Sequence, residues 1–242
     1  MRVDGYCTLG VDREFTLTVK ALLAAMDTAG VDRAVIAPVP RQMAVANGEG
    51  NRRVAAAAAH SDRLIPTCTA NPWHGRRAVA ELQRRVAAGA RMLVLDPAIQ
   101  GFAVCDELAA PLLAAAAALN VPVYVHTGGY QFGTPGQLAL AAQRFPAVRF
   151  ILGHSGSTDF KLEALDVARL CPNVFPETSL ARPFGALSLL RALGDRRVIM
   201  GSAAPLNDLA FEWGETLAVC PPKQYPGFYG RTLLRVLEGP AQ

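Results

Sequence analysis

Seven polar side chains stand at the ends of short apolar runs. They are Tyr6 and Thr8 in RVDGYCTLG, Asp96 in RMLVLDP, His126 in VPVYVHT, His154 in VRFILGH, Glu177 in NVFPET and Ser202 in RVIMGS. Imidazole ionises near neutral pH, so a histidine serves as general acid, general base or metal ligand. A carboxylate beside it fixes its tautomer, and a phenol donates to a developing oxyanion. His126 and His154 each close an apolar run, whereas His60 and His74 fall at a helix end and in a loop and read as surface residues. Thr127-Gly128-Gly129 follows His126 and Ser155-Gly156 follows His154. Glycine at such points lets a backbone or ligand come close. One such histidine is more often a satisfied core side chain; two at corresponding strand ends point to a shared site. Side chains alternate along a strand, so Tyr6 and Thr8 face one way and Cys7 the other.

The elements that would position these residues recur. Apolar strand candidates occupy 2–8, 33–39, 63–69, 91–97, 121–127, 148–154, 173–178 and 197–202. Their spacing, roughly 25 to 30 residues, is that of a βα unit. Ala- and Leu-rich helical stretches lie between them, and Gly30 and Gly194 follow helices as C-terminal caps. Continuous apolar runs suit parallel strands covered on both faces. Eight strand–helix pairs predict an α/β protein, a (β/α)8 TIM-type barrel forming one domain over residues 1–242, with its site at the C-terminal ends of the strands. A doubly wound open sheet is the alternative, but no glycine-rich phosphate loop follows the first strand.

Composition narrows the partners. The chain is 51% hydrophobic with a net charge of +4, and arginines such as Arg76, Arg77, Arg84 and Arg85 are scattered rather than gathered into a stripe. That argues against nucleic acid. No run reaches the roughly 18 apolar residues of a membrane span. MRVDGYC lacks the apolar core of a signal peptide, so the expectation is a cytoplasmic protein. Cys7, Cys68, Cys105, Cys171 and Cys220 form no C-x-x-C pair and read as free thiols. The Ala- and Arg-rich composition suggests a bacterial source of high GC content.

EFTLTVKALLAAMDTAGVDRAVI, HSDRLIPTCTANPW, RMLVLDPAIQGF, VPVYVHTGG, FILGHSG and DRRVIMGSAAP, in that order, resemble the amidohydrolase superfamily. The similarity is to its amidohydrolase-related branch of metal-dependent hydrolases and non-oxidative decarboxylases, and it covers nearly the whole chain. It implies a distorted (β/α)8 barrel. It also implies a divalent metal held by an H-x-H pair on the first strand, by histidines ending the fifth and sixth strands, and by an aspartate after the eighth that activates water. Here the H-x-H positions are Tyr6 and Thr8, the aspartate position is Ala203, and the K-x-H-P segment of relatives is Val94-Leu95-Asp96-Pro97. Only His126 and His154 remain, and a zinc site takes at least three protein ligands. The expectation is a degenerate metal site and no cofactor. A weakly held divalent metal at His126 and His154, joined by Asp96, Glu177 or a thiolate, is the lesser alternative.

Two functions follow. The first is an enzyme doing metal-independent acid–base chemistry (lyase, cyclase, isomerase or easy hydrolysis) on a small organic metabolite. Tyr6, Asp96, His126, His154 and Glu177 would be catalytic, with Thr8, Trp73, Tyr130, Phe132, Arg182 and Ser202 against the substrate. The second is a pseudoenzyme that binds a small molecule or a partner, suggested by the inert Val94 and Ala203. Trp73 forms an apolar wall or packs on the rim; Tyr130 and Phe132 line the pocket or its edge. Arg182 binds a carboxylate or is a surface residue. VCPPKQYPGFYGRTLL covers the barrel mouth or makes a dimer contact, and the resemblance leaves a homodimer open.

Overall fold

The strands are the apolar runs, and their pairing closes a ring. In the computed structural model, which describes residues 1–129, 131–157 and 159–239, β1 (Val3–Val11) pairs in parallel with β2 (Arg33–Pro38). Next comes β3, in two pieces, Leu64–Pro66 on β2 and Cys68–Thr69 on β4 (Leu93–Leu95). The third run therefore switches partner at Thr67, whose hydroxyl donates to the Ile36 carbonyl at 2.9 Å. Then follow β5 (Val123–His126), β6 (Phe150–Gly153) and β7 (Val174–Pro176), all parallel.

The eighth run closes the ring with bridges instead of a full strand, Glu177 to Ile199 on one side and Cys7 to Ala204 on the other. Peptide N–H groups of Gly5 and Thr8 donate to the carbonyls of Met200 and Ala204 at 2.8 and 2.7 Å. Among the described residues, only Ile199 within the predicted 197–202 run forms a bridge, and just past the run Ala203 sits in the left-handed region with φ 57°.

Three of the helices around the ring start at side-chain caps, Thr18, Thr134 and Asp208. Helix α1 (Val19–Ala29) begins with the Thr18 hydroxyl accepting from Ala21 N–H and ends at Gly30, φ 64°. Around the ring follow α2 (Asn47–Ala58), α3 (Arg76–Ala87), α4 (Ala110–Ala118), α5 (Pro135–Arg144), α6 (Lys161–Leu170), α7 (Arg182–Leu193) and α8 (Leu209–Val219). Strand alternation sorts the core. Leu93, Leu95, Val123, Val125, Phe150 and Leu152 pack outward under helices. Val35, Ile65, Val94, Tyr124, Ile151 and Ile199 point inward and fill the barrel. Each buried aliphatic side chain contributes about 1.5–3 kcal/mol relative to exposure.

Strand β1 shifts register between Asp4 and Cys7. Tyr6 then joins the interior, while Cys7 lies in the outer layer. Asp4 is fully buried, and its carboxylate accepts from the Trp213 indole of α8 at 2.6 Å and from the peptide N–H of Tyr6 and Ser202 at 3.1 and 3.2 Å. One carboxylate thus ties together β1, the closing segment and α8.

The final helix, α9 (Thr232–Glu238), places Leu233, Val236 and Leu237 against Val3 in the interior cluster. Arg149, just before β6, donates to the Val236 carbonyl at 2.8 Å. The C-terminal segment therefore plugs the N-terminal end of the barrel and does not cover the mouth. Among the described residues, no helix is long and apolar enough to cross a membrane, and all five cysteines are free.

Candidate active site

Strand ends bring five of the singled-out side chains into one hydrogen-bonded line. Thr8 Oγ1 lies 3.4 Å from Tyr6 Oη, and Tyr6 Oη lies 2.9 Å from His126 Nε2. His126 Nδ1 is 2.8 Å from His154 Nε2. His154 Nδ1 is 2.8 Å from the hydroxyl of Ser179, which donates to Glu177 Oε2 at 2.7 Å. Ser179, absent from the sequence reading, is the link between the imidazoles and the carboxylate. Tyr124 was also missed; its hydroxyl donates to Glu177 at 2.8 Å, and its ring stacks on Tyr6 at 4.6 Å. Tyr124 stands two residues before His126 on β5, so strand alternation was the signal that could have found it; Ser179 lies in the turn after β7, where alternation gives no signal.

Local backbone geometry makes these contacts. Among the described residues, six of the seven non-glycine residues with positive φ gather at this end of the barrel: His154, Ser155, Ser157, Leu180, Arg182 and Ala203. Each such conformation costs on the order of 1–3 kcal/mol, and strain of this kind collects at functional sites. Glycine makes the room. A Cβ on Gly153 would sit 2.3 Å from the Tyr124 ring, and one on Gly201 would sit 1.8 Å from Glu177 Oε1. The loops are pinned by Thr127, whose hydroxyl donates to the Gly153 carbonyl at 2.6 Å and accepts from Gly156 N–H at 2.9 Å.

The line is most exposed at His126 and buried toward both ends, with Tyr6 2% exposed. The side chains of His126 and Asp96 are each 15% exposed, whereas Glu177 and Ser179 are fully buried. Asp96 Oδ2 is 3.8 Å from His126 Nδ1, an ion-pair distance only. Its other oxygen caps the turn Pro97–Gln100 by accepting from Ile99 N–H at 3.3 Å. Burial pushes both imidazoles down to about 3, with His126 adding to the effect on His154 and Asp96 opposing it. Burial pushes the Glu177 and Asp96 carboxyls up, against the hydrogen bonds each accepts. It also pushes the Tyr6 phenol up.

These shifts predict acid lability. Between pH 6.5 and about 3 the unfolded chain binds protons that the folded imidazoles refuse, so stability falls as pH falls through that window. The slope approaches roughly 1.4 kcal/mol per pH unit for each histidine. Asp96 and Glu177 titrate in the opposite sense, so the comparison to make is with His126→Gln/His154→Gln. Urea titrations at pH 7 and pH 5 are expected to show a smaller pH effect in that variant; equal effects would refute the shifts.

The donor set does not suit the metal that the family resemblance implies. Among the described residues, no group of three or more His, Cys, Asp or Glu is arranged to hold an ion. The facing nitrogens of His126 and His154 touch at 2.8 Å, whereas two nitrogens on one tetrahedral zinc stand about 3.3 Å apart. The remaining nitrogen of His126 meets Tyr6, and Ala203 offers only a methyl group.

The other singled-out residues lie apart from the line. Trp73 is 63% exposed on the rim, its indole donating to the Gly101 carbonyl at 3.2 Å. Phe132 is half-buried in the loop after β5, and Tyr130 lies outside the described residues. Arg182 is exposed and borders a cavity of about 410 Å³ beside the mouth, together with Ser157, Leu180, Leu206 and Glu212. Ser202 does not face the mouth. Its hydroxyl accepts from Ala204 N–H at 3.1 Å and lies 3.8 Å from Cys7 Sγ, because the outward register that buries Cys7 also turns Ser202 toward Asp4.

A family model described as amidohydrolase matches residues 11–226. No curated protein matches the chain in sequence. An uncharacterized TIM-barrel protein from Bordetella bronchiseptica superposes with a TM-score of 0.79 at 17% identity, covering 98% of each chain. A 5-carboxyvanillate decarboxylase from Novosphingobium aromaticivorans, solved with manganese and 4-hydroxy-3-methoxy-5-nitrobenzoic acid, gives 0.79 at 15% identity over 99% of this chain and 96% of that one. A 2,6-dihydroxybenzoate decarboxylase from Rhizobium gives 0.76 at 15% identity over 98% of each. At such identities these likenesses establish the barrel fold.

Proposed function

The chain belongs to the amidohydrolase family, and from that premise we propose that it is an enzyme moving protons on a small organic substrate through Tyr6 and His126, without a metal. The observation that supports this reading is the unbroken line from Tyr6 through two neutral imidazoles to a buried carboxylate. A neutral imidazole keeps one ring nitrogen bare, and it can take a proton there while it gives up the one on its other nitrogen; His126 Nε2 faces the Tyr6 phenol at 2.9 Å. His126 therefore takes the Tyr6 proton as Tyr6 Oη takes one from the substrate, and returns it in the reverse step. Asp96, at the mouth, supplies a second acid–base group, and Thr8 orients the phenol. Such a set suits lyase, cyclase or isomerase chemistry, or hydrolysis of an activated ester or lactone.

The hydroxylated aromatic acids named for the structural neighbours make the first substrate panel. The test is turnover of that panel by chelator-treated protein, followed by proton NMR in D2O for loss of carboxyl or exchange of carbon-bound hydrogen. His126→Ala and His154→Ala are each expected to lower turnover by about 10²–10⁴-fold with the fold retained. Full activity in both variants would refute the assignment, and activity that appears only with added metal would refute its metal independence. A binding protein without turnover is the second reading. It is favoured by the Tyr6 ring, which is buried in the barrel centre against Tyr124, and saturable binding of the panel without conversion would establish it.

A further inference from the structure

The direction of the hydrogen-bonded line is set at its buried end. We infer that Glu177, acting through Ser179, fixes both histidines as Nδ1–H tautomers and is the final acceptor of a proton that enters at Tyr6. The second half of this inference rests on the acid–base reading above; the first does not.

The polarity follows from donors that cannot reverse. His154 N–H donates to Glu177 Oε2 at 3.1 Å, and Ser179 N–H donates to Oε1 at 2.9 Å. Both carboxylate oxygens are thereby acceptors of peptide protons. Ser179 has one hydroxyl proton and gives it to Oε2, so its oxygen must accept from His154 Nδ1. A neutral imidazole carries a single N–H. His154 Nε2 is then bare and accepts from His126 Nδ1, which leaves His126 Nε2 bare to accept from Tyr6. Thr8 donates to Tyr6 Oη. Every proton in the line points toward Glu177.

The transfer balances without charging any link. When Tyr6 Oη takes a proton from the substrate, its own proton moves to His126 Nε2. The Nδ1 proton of His126 moves to His154 Nε2, that of His154 to Ser179 Oγ, and that of Ser179 to Glu177 Oε2. One proton enters and one arrives; a negative charge leaves Glu177 and appears on the substrate. Both imidazoles remain neutral and finish as Nε2–H tautomers, and the return proton restores the original state. Two imidazoles that resist protonation are therefore suited to relay a proton they never hold as an extra charge. Ser179 and Glu177 are positioning residues, since neither reaches the substrate, and Tyr124 keeps Glu177 an acceptor by donating to Oε2.

The experiment is long-range ¹H–¹⁵N correlation NMR on the full chain labelled at histidine, at pH 7. His126 and His154 are expected to show protonated Nδ1 and bare Nε2. Ser179→Ala removes the acceptor of His154 Nδ1, and the pure Nδ1–H state should be lost in both rings, while Ser179→Thr, which keeps the hydroxyl, should retain it. Equimolar zinc or manganese should leave the ring resonances in place. An Nε2–H tautomer at either ring of the wild type would overturn the inference. So would unchanged tautomers in Ser179→Ala, or displacement of both rings by metal. With a turned-over substrate in hand, Ser179→Ala should cost about 10²–10⁴-fold in kcat and Ser179→Thr less than about tenfold. The expected tautomers in a protein that turns over nothing would remove the enzymatic reading and leave the tautomer assignment standing.

Discussion

Gly201→Ala is expected to destabilise the fold by about 3–5 kcal/mol. The added Cβ would lie 1.8 Å from Glu177 Oε1 and 2.8 Å from its carboxyl carbon, so the carboxylate must move. It cannot move cheaply, because it is fully buried and accepts from Tyr124, Ser179 and the peptides of His154 and Ser179. Displacing it strands buried donors and leaves a charge without partners, each a large penalty at a fully buried position. Gly214→Ala is the control. Gly214 lies within α8 with open space around it, and alanine there should stabilise by about 0.8–1 kcal/mol through helix propensity alone. Urea denaturation of both variants measures the difference. A Gly201→Ala protein within about 1 kcal/mol of the wild type would mean that Glu177 is not held where the hydrogen bonds place it.

Asp4→Asn is expected to cost about 2–3 kcal/mol, and Trp213→Phe to cost less in its presence than alone. Two peptide N–H groups, from Tyr6 and Ser202, share Oδ1 of Asp4, and the Trp213 indole takes Oδ2. An asparagine must keep its single oxygen on the peptides, so its NH2 faces the indole N–H, donor against donor. Phenylalanine at 213 removes the second donor and with it the conflict. A coupling of about 1 kcal/mol or more should separate the double variant from the sum of the singles. Additive effects would show that the carboxylate does not bridge β1, the closing segment and α8. Burial pushes the Asp4 carboxyl up, which tempers the cost of a neutral residue and keeps the expected loss below that of Gly201→Ala.

Much of the fold was legible along the chain. Seven of the eight apolar runs became paired barrel strands, because a parallel strand covered on both faces needs apolar residues at every position. The C-terminal caps at Gly30 and Gly194 are set by local hydrogen bonds within a turn, and local interactions are visible in local sequence. Alternation placed Tyr6 and Thr8 inward and Cys7 outward, although the β1 register shift next to Gly5 was not visible. The convergence of Tyr6, His126, His154 and Glu177 followed from their standing at strand ends, since closing a barrel gathers those ends at one face.

The sequence by itself determined the order of strands and helices, the placing of Tyr6, His126, His154 and Glu177 at strand ends, and the glycines that end two of the helices. These depend on side-chain type, period and neighbours within a turn. Only the tertiary structure decided that His126 and His154 touch each other, that Ser179 completes the line to Glu177, and that Ser202 turns outward. It alone sent the last helix to the opposite end of the barrel. Those outcomes hang on left-handed backbone at His154, Leu180 and Ala203 and on glycines at 153 and 201. The space those glycines leave is claimed by side chains that come from distant parts of the chain, and such contacts exist only once the ring has closed.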